Sequence, residues 1–168
     1  MPGKKRKEPV AAAAAAAPAA SGKLADVDSV DAIVKGLYEV ISFRKGETPN
    51  WDRFRKLFHP GGRLIPAKKA GAQVLTPEDF IALFTRNIQS GAMKEFQEKE
   101  IARRTMLFGN MAHLFSTYES RFTAGAEEPD VRGINSIQLL HEKGRWWVVS
   151  VFWAEEREFG PIPRRYMR

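Results

Sequence analysis

The segment from Arg132 to Glu156 constrains this chain more than any other part of it. It holds two long β-rich runs joined by a short polar turn that ends at Gly144, the pattern of a β-hairpin. The second run, Trp146 to Trp153, is apolar at every position except Ser150. A strand of that composition needs cover on both faces of its sheet, so something must pack on each side. In a chain of 168 residues this predicts helices on one face and a second copy of the chain on the other.

That length suits one domain, and 43% hydrophobic content with 11% aromatics is enough for one sizeable core. Cysteine is absent, so disulfides and zinc-cysteine sites are excluded. The three histidines, His59, His113 and His141, do not stand at metal-ligand spacing, and no metal and no cofactor is expected. The net charge of +7 resembles a nucleic-acid signature, but residues 1–22 carry +3 of it through Lys4, Lys5, Arg6 and Lys7 against Glu8. No basic stripe interleaved with aromatics follows, which argues against nucleic acid as a partner. No apolar run is long enough to cross a bilayer.

The N-terminus imitates a signal peptide, with a basic stretch, an alanine run and a small-residue exit at Ala19-Ala20-Ser21. Polyalanine is barely apolar enough for that role, and Glu8 and Pro9 intrude. The default is a disordered basic and alanine-rich tail over 1–23, in a cytoplasmic protein, with export as the alternative. The folded domain is expected over 24–158, followed by a basic C-terminal tail over 159–168.

Val30, Ile33, Val34, Leu37, Tyr38 and Ile41 recur at helical spacing behind the capping residues Asp26, Asp28 and Ser29. A short second helix is predicted from Trp51 to Phe58, and a third from Thr76, with Thr76 as cap and Pro77 at its first position. Short strands are expected at 63–67 and 73–75. From Lys94 the period changes to two, giving four long strands near 94–107, 111–123, 131–141 and 145–156. Helices followed by an antiparallel meander make an α+β fold.

The order helix, short helix, strand pair, helix and four-stranded meander resembles the NTF2-like (SnoaL-like) superfamily. So do Trp51-Asp-Arg-Phe-Arg-Lys-Leu-Phe58 before a Gly-Gly-Arg-Leu strand, Gly109-Asn-Met-Ala-His-Leu, and Gly144-Arg-Trp-Trp-Val-Val. The resemblance covers residues 26–156 and implies a cone-shaped fold, with three N-terminal helices packed in a strongly curved antiparallel sheet. Such motifs identify a fold much better than an activity.

Alternation along the strands then sorts residues into a cavity face and a convex face. The resemblance implies that Ala112 and Trp146 face inward. On that parity Ser116, Tyr118, Ser136, Gln138 and Ser150 line the cone, while Trp51, Phe54 and Phe58 close its mouth. The same parity puts Trp147, Val149, Val151 and Trp153 on the convex face as a homodimer interface. With the register shifted by one, His113, Thr117 and Asn135 would form the pocket instead. The filled-core alternative leaves Tyr118 and the serines merely satisfying internal hydrogen bonds.

Two functions follow. The first is a dimeric domain that binds a small hydrophobic ligand in the cone or serves as a non-catalytic module. The alternative is a lyase or isomerase of cyclase or dehydratase type, with Tyr118 as hydrogen-bond donor and Glu98, Glu100 or His113 as base. Glu98 and Glu100 share one face of a strand. They would be either pocket carboxylates with raised pKa or partners of Arg103, Arg104 or Arg121.

Overall fold

Three helix starts are fixed by side chains that take up otherwise unpaired backbone N–H groups. The computed structural model describes residues 25–168, so the expectations for residues 1–23 lie outside the described residues. Ser29 caps α1 (Val30–Ile41) by accepting from Ala32 N at 3.1 Å. Asn50 caps α2 (Trp51–Leu57) through Arg53 N at 2.9 Å. Thr76 and Asp79 form a reciprocal capping box at α3 (Pro77–Gln89), with Pro77 in the first turn.

The five strands are β1 (Phe58–Pro66), β2 (Gln97–Phe108), β3 (Met111–Arg121), β4 (Val131–Glu142) and β5 (Arg145–Glu155). They form one sheet in the order β1-β5-β4-β3-β2. The β4–β5 turn is a two-residue connection in which Lys143 and Gly144 both have positive φ, 54° and 75°. That geometry matches the right-handed twist of the strands it joins.

The sheet is mixed, which corrects the expectation of an antiparallel one: β1 runs parallel to β5. Direction at that edge depends on how the chain returns after α3 and three further strands, and local periodicity carries no record of it. The predicted strand at 73–75 reduces to a single bridge between Leu64 and Leu75.

Helix α1 buries Ile33, Val34, Leu37, Tyr38 and Val40 against the inner face of the sheet. A second cluster of Phe43, Phe84 and Phe96 meets Trp51 and Phe80 through edge and tilted ring contacts of 5.5–6.2 Å. Such pairs add modestly to the area they bury. Arg53 of α2 grips Asp26, in the turn before α1, through two bonds of 2.7 and 2.8 Å and reaches Glu39 of α1 at 2.8 Å.

Residues beyond 158 do not trail away from the domain. After α4 (Glu156–Phe159) the chain crosses the convex face of β2 and β3. There Thr117 Oγ1 donates to Tyr166 O at 2.5 Å and Arg104 Nε donates to Arg165 O at 2.8 Å. The Tyr166 ring lies 5.2 Å from that of Phe115.

Candidate functional site

Strand β3 alternates without interruption, so Ala112, Leu114, Ser116, Tyr118 and Ser120 are all buried on the inner face. Their neighbours on β4 follow from the register. Leu114 stands opposite Ile137, Ser116 opposite Asn135 and Tyr118 opposite Gly133, so the odd-numbered residues of β4 face inward. Ser136 and Gln138, expected in the lining, therefore lie on the convex face. Apolar residues occur on both faces of β4, and its own pattern did not set the phase.

The same kind of correction applies to β5, for a different reason. Val148 pairs with Leu139 and Ser150 with Gln138, which leaves Val149 as an extra residue in a bulge. One extra residue reverses the parity beyond it. Trp146 and Val148 face inward as expected, but after the bulge Val151, Trp153 and Glu155 do so, and Ser150 and Phe152 face outward. Val151 and Trp153 are thus cavity-side residues and not part of a convex interface, while Trp147 remains convex and half-buried. A second bulge at Ile101 in β2 puts Glu98 and Glu100 inward before it and Arg103 inward after it.

His113 and Thr117 do not form a pocket with Asn135. His113 is on the convex face, with Nε2 3.0 Å from Ser136 Oγ, and Thr117 is covered there by the C-terminal segment. Asn135 alone of that trio faces inward.

The inner face and the helices enclose a cavity of about 410 Å³. Its walls are Leu37, Ile41, Phe54, Phe80, Phe84, Phe96, Phe122, Ile137, Val151 and Trp153, and its polar groups include Tyr38, Glu98, Tyr118, Ser120, Asn135 and Glu155. Trp51 and Phe58 are not in the lining. They pack behind Phe54, at ring separations of 5.7 and 4.7 Å. Ser116 lies behind Tyr38. The pattern of α1 marked Tyr38 as an inward residue, but only the fold brings it opposite Ser116 and Asn135.

Glu98 retains some accessible surface as a residue, yet its carboxyl is enclosed by protein. Burial pushes its pKa up to about 8, the Asn135 amide opposes that shift, and the charge of Glu155 adds to it. Tyr118 is 3% exposed, and its hydroxyl makes no hydrogen bond among the described residues. Burial raises its pKa, as do the nearby charges of Glu98 and Glu155. A neutral phenol donor without a partner therefore stands near a carboxyl that titrates close to neutral pH.

Tyr38 is tied more firmly. Its hydroxyl accepts from Asn135 Nδ2 at 3.0 Å and lies 2.6 Å from Ser116 Oγ, which donates to Glu100 Oε1 at 2.5 Å. Glu100 also pairs with Arg103 at 3.1 Å. Burial, and then the charge of Glu98, raise the pKa of Tyr38 and keep it a phenol.

Among the described residues no group of three or more His, Asp or Glu side chains could hold a metal ion. No helix among them is long and apolar enough to cross a membrane.

No protein-family model matches the sequence, and no curated protein matches it either. Solved structures do. An NTF2-like protein of unknown function from Pseudomonas putida KT2440 is 10% identical with a TM-score of 0.58, over 74% of this chain and 82% of that one. An NTF-2 like protein of unknown function from Silicibacter pomeroyi is 15% identical with a TM-score of 0.52, over 75% and 92%. A protein from Shewanella frigidimarina, provisionally named a ketosteroid isomerase, is 14% identical with a TM-score of 0.52, over 73% and 91%. At these identities the likeness is one of fold, and the fold of this chain is NTF2-like.

Proposed function

We propose that the domain binds a small, largely apolar molecule in the concave cavity and catalyses proton transfer on it, as an isomerase or lyase would. The carrying observation is that the Glu98 carboxyl and the Tyr118 hydroxyl, which has no hydrogen bond among the described residues, line one largely apolar cavity within electrostatic reach of each other. An acid or base works best with a pKa near the working pH, and roughly a tenth of Glu98 is ionised at pH 7 if it titrates near 8.

In this reading the ionised Glu98 removes a proton from a carbon next to a carbonyl. The electron pair moves onto the carbonyl oxygen, which Tyr118 stabilises through its O–H, and the now neutral Glu98 returns the proton to another carbon. The fold-level likeness to the Shewanella frigidimarina protein supports this reaction class by analogy alone.

The test is incubation of small cyclic ketones and enones with the protein in D2O, following deuterium incorporation by mass spectrometry. Incorporation that disappears in Glu98→Gln and falls by orders of magnitude in Tyr118→Phe supports proton transfer. Binding of the same compounds without incorporation would instead leave a binding protein.

The homodimer belongs to the same proposal. Met106, Phe108, Met111 and Phe152 on the convex face are 65%, 80%, 60% and 45% exposed, and a second copy stacked on this face would cover them. The interface residues kept from the sequence are Trp147 and Val149, joined by Phe152 in place of Val151 and Trp153.

A further inference from the structure

Two hollows meet at one wall. Besides the concave cavity, a cleft of about 400 Å³ opens between α1 and β2, lined by Asp31, Lys35, Glu39, Lys99, Glu100 and Arg103. Tyr38 and Glu98 line both. They form the partition between the polar end of the cavity and an outer, charged surface.

A chain of hydrogen bonds passes through that partition, and its direction is fixed. Ser116 has one hydroxyl proton, and the carboxylate of Glu100 can only accept it, at 2.5 Å. Tyr38 must therefore donate to Ser116 across 2.6 Å, leaving its oxygen free to accept from Asn135 at 3.0 Å. The O–H groups of Tyr38 and Ser116 therefore both point along the chain towards Glu100. Ser116 is fully buried, whereas Glu100 faces the cleft and is held by Arg103, which in turn pairs with Asp31 at 2.8 Å.

We infer that Tyr38, Ser116 and Glu100 form a proton-exchange path linking the cavity to solvent in the cleft between α1 and β2. A proton arrives at Tyr38 Oη from an acidic hydroxyl of a molecule bound in the cavity, which also relays the proton of Glu98, since Glu98 hydrogen-bonds Asn135 and not Tyr38. The Tyr38 proton passes to Ser116 Oγ, and the Ser116 proton to Glu100, which releases it to water. Each hydroxyl gains and loses one proton, and the cavity acid is left one proton poorer. The reverse sequence reloads it without requiring the main cavity to open. The path owes its purpose to the proposed acid-base role of Glu98, but its existence is measured separately.

The experiment follows exchange of the Tyr38 hydroxyl with solvent through the deuterium isotope shift on its ring Cζ, in mixed H2O and D2O. The chain has three tyrosines, so substitution assigns the signal. Glu100→Gln retains an acceptor for Ser116 but cannot take up a proton, and is expected to slow exchange at least tenfold. Ser116→Ala should slow it similarly, and Ser116→Thr should restore it. Backbone amide exchange at Leu37 and Tyr38 serves as the control for opening of α1. An unchanged hydroxyl rate in Glu100→Gln overturns the path, and so does a rate that merely tracks those amides. No substrate is involved, so absence of deuterium incorporation into ketones with the path intact would refute the proton-transfer reading alone.

Discussion

Gly133 lies directly opposite Tyr118 across β3 and β4, and a Cβ placed on it would sit 2.5 Å from the phenol oxygen and 2.6 Å from both the ring Cζ and Ala154 O. The glycine leaves room for the Tyr118 ring, so the close approach is a requirement of the cavity wall. Gly133→Ala should cost about 1–3 kcal/mol, the range for overpacking a filled site, and displace the ring. Thermal unfolding checks the loss. Adding Tyr118→Ala should recover only part of it, because the carbonyl of Ala154 stays in place.

Glu98 makes stability depend on pH with a definite sign. Its folded pKa, about 8, lies above its ordinary value of 4.5, so the folded state holds the proton more tightly than the unfolded state. Its contribution is complete below pH 4.5 and is lost as pH rises towards 8. Denaturant titrations of the native protein and Glu98→Gln should therefore diverge across that interval, with Gln gaining relative stability on the order of a few kcal/mol by the alkaline end. Parallel curves would contradict an enclosed carboxyl.

The Arg53 clasp acts at the other end of the pH scale. Hydrogen bonding to Arg53 holds both Asp26 and Glu39 below their ordinary values of 3.8 and 4.5. Lowered carboxylates contribute above their unfolded pKa and lose that contribution as pH falls through the folded one. All three side chains retain solvent access, so Arg53→Met should cost about 1 kcal/mol near neutral pH and progressively less below pH 4. Melting temperatures at pH 7 and pH 3 read the difference.

A fluorescent hydrophobic probe should occupy the cavity once per chain. Ser120→Trp places bulk on the inner face and should abolish that binding, whereas Ser150→Trp, beyond the β5 bulge, should leave it unchanged. A titration that reversed the two results would reverse the face assignment.

The two sides of β5 should also respond differently to charge. Phe152→Asp on the convex face is expected to yield a folded monomer, while Val151→Asp, 7% exposed and turned inward, should unfold the domain by burying an unpaired carboxylate. Sedimentation with circular dichroism separates loss of assembly from loss of fold.

Capping residues, helix periodicity and the switch to alternating strands were all legible in the chain because each depends on neighbours a few residues apart. Thr76 with Pro77, the apolar stripe of α1 and the alternation from Ala112 to Ser120 follow from local spacing alone, whereas the inward sense of that row was implied by the family resemblance. Glu98 could be named as a candidate carboxylate from spacing as well. Its raised pKa depends on enclosure by α1, β3 and β4, which spacing does not describe. The faces of Ser136, Gln138, Ser150, Val151 and Trp153 were decided only by tertiary structure. An extra residue at Val149 shifts the phase of β5, and the phase of β4 is borrowed from the register of β3. The parallel pairing of β1 with β5 and the meeting of Tyr38, Ser116 and Asn135 join residues far apart in the chain, so sheet closure around α1 determines them.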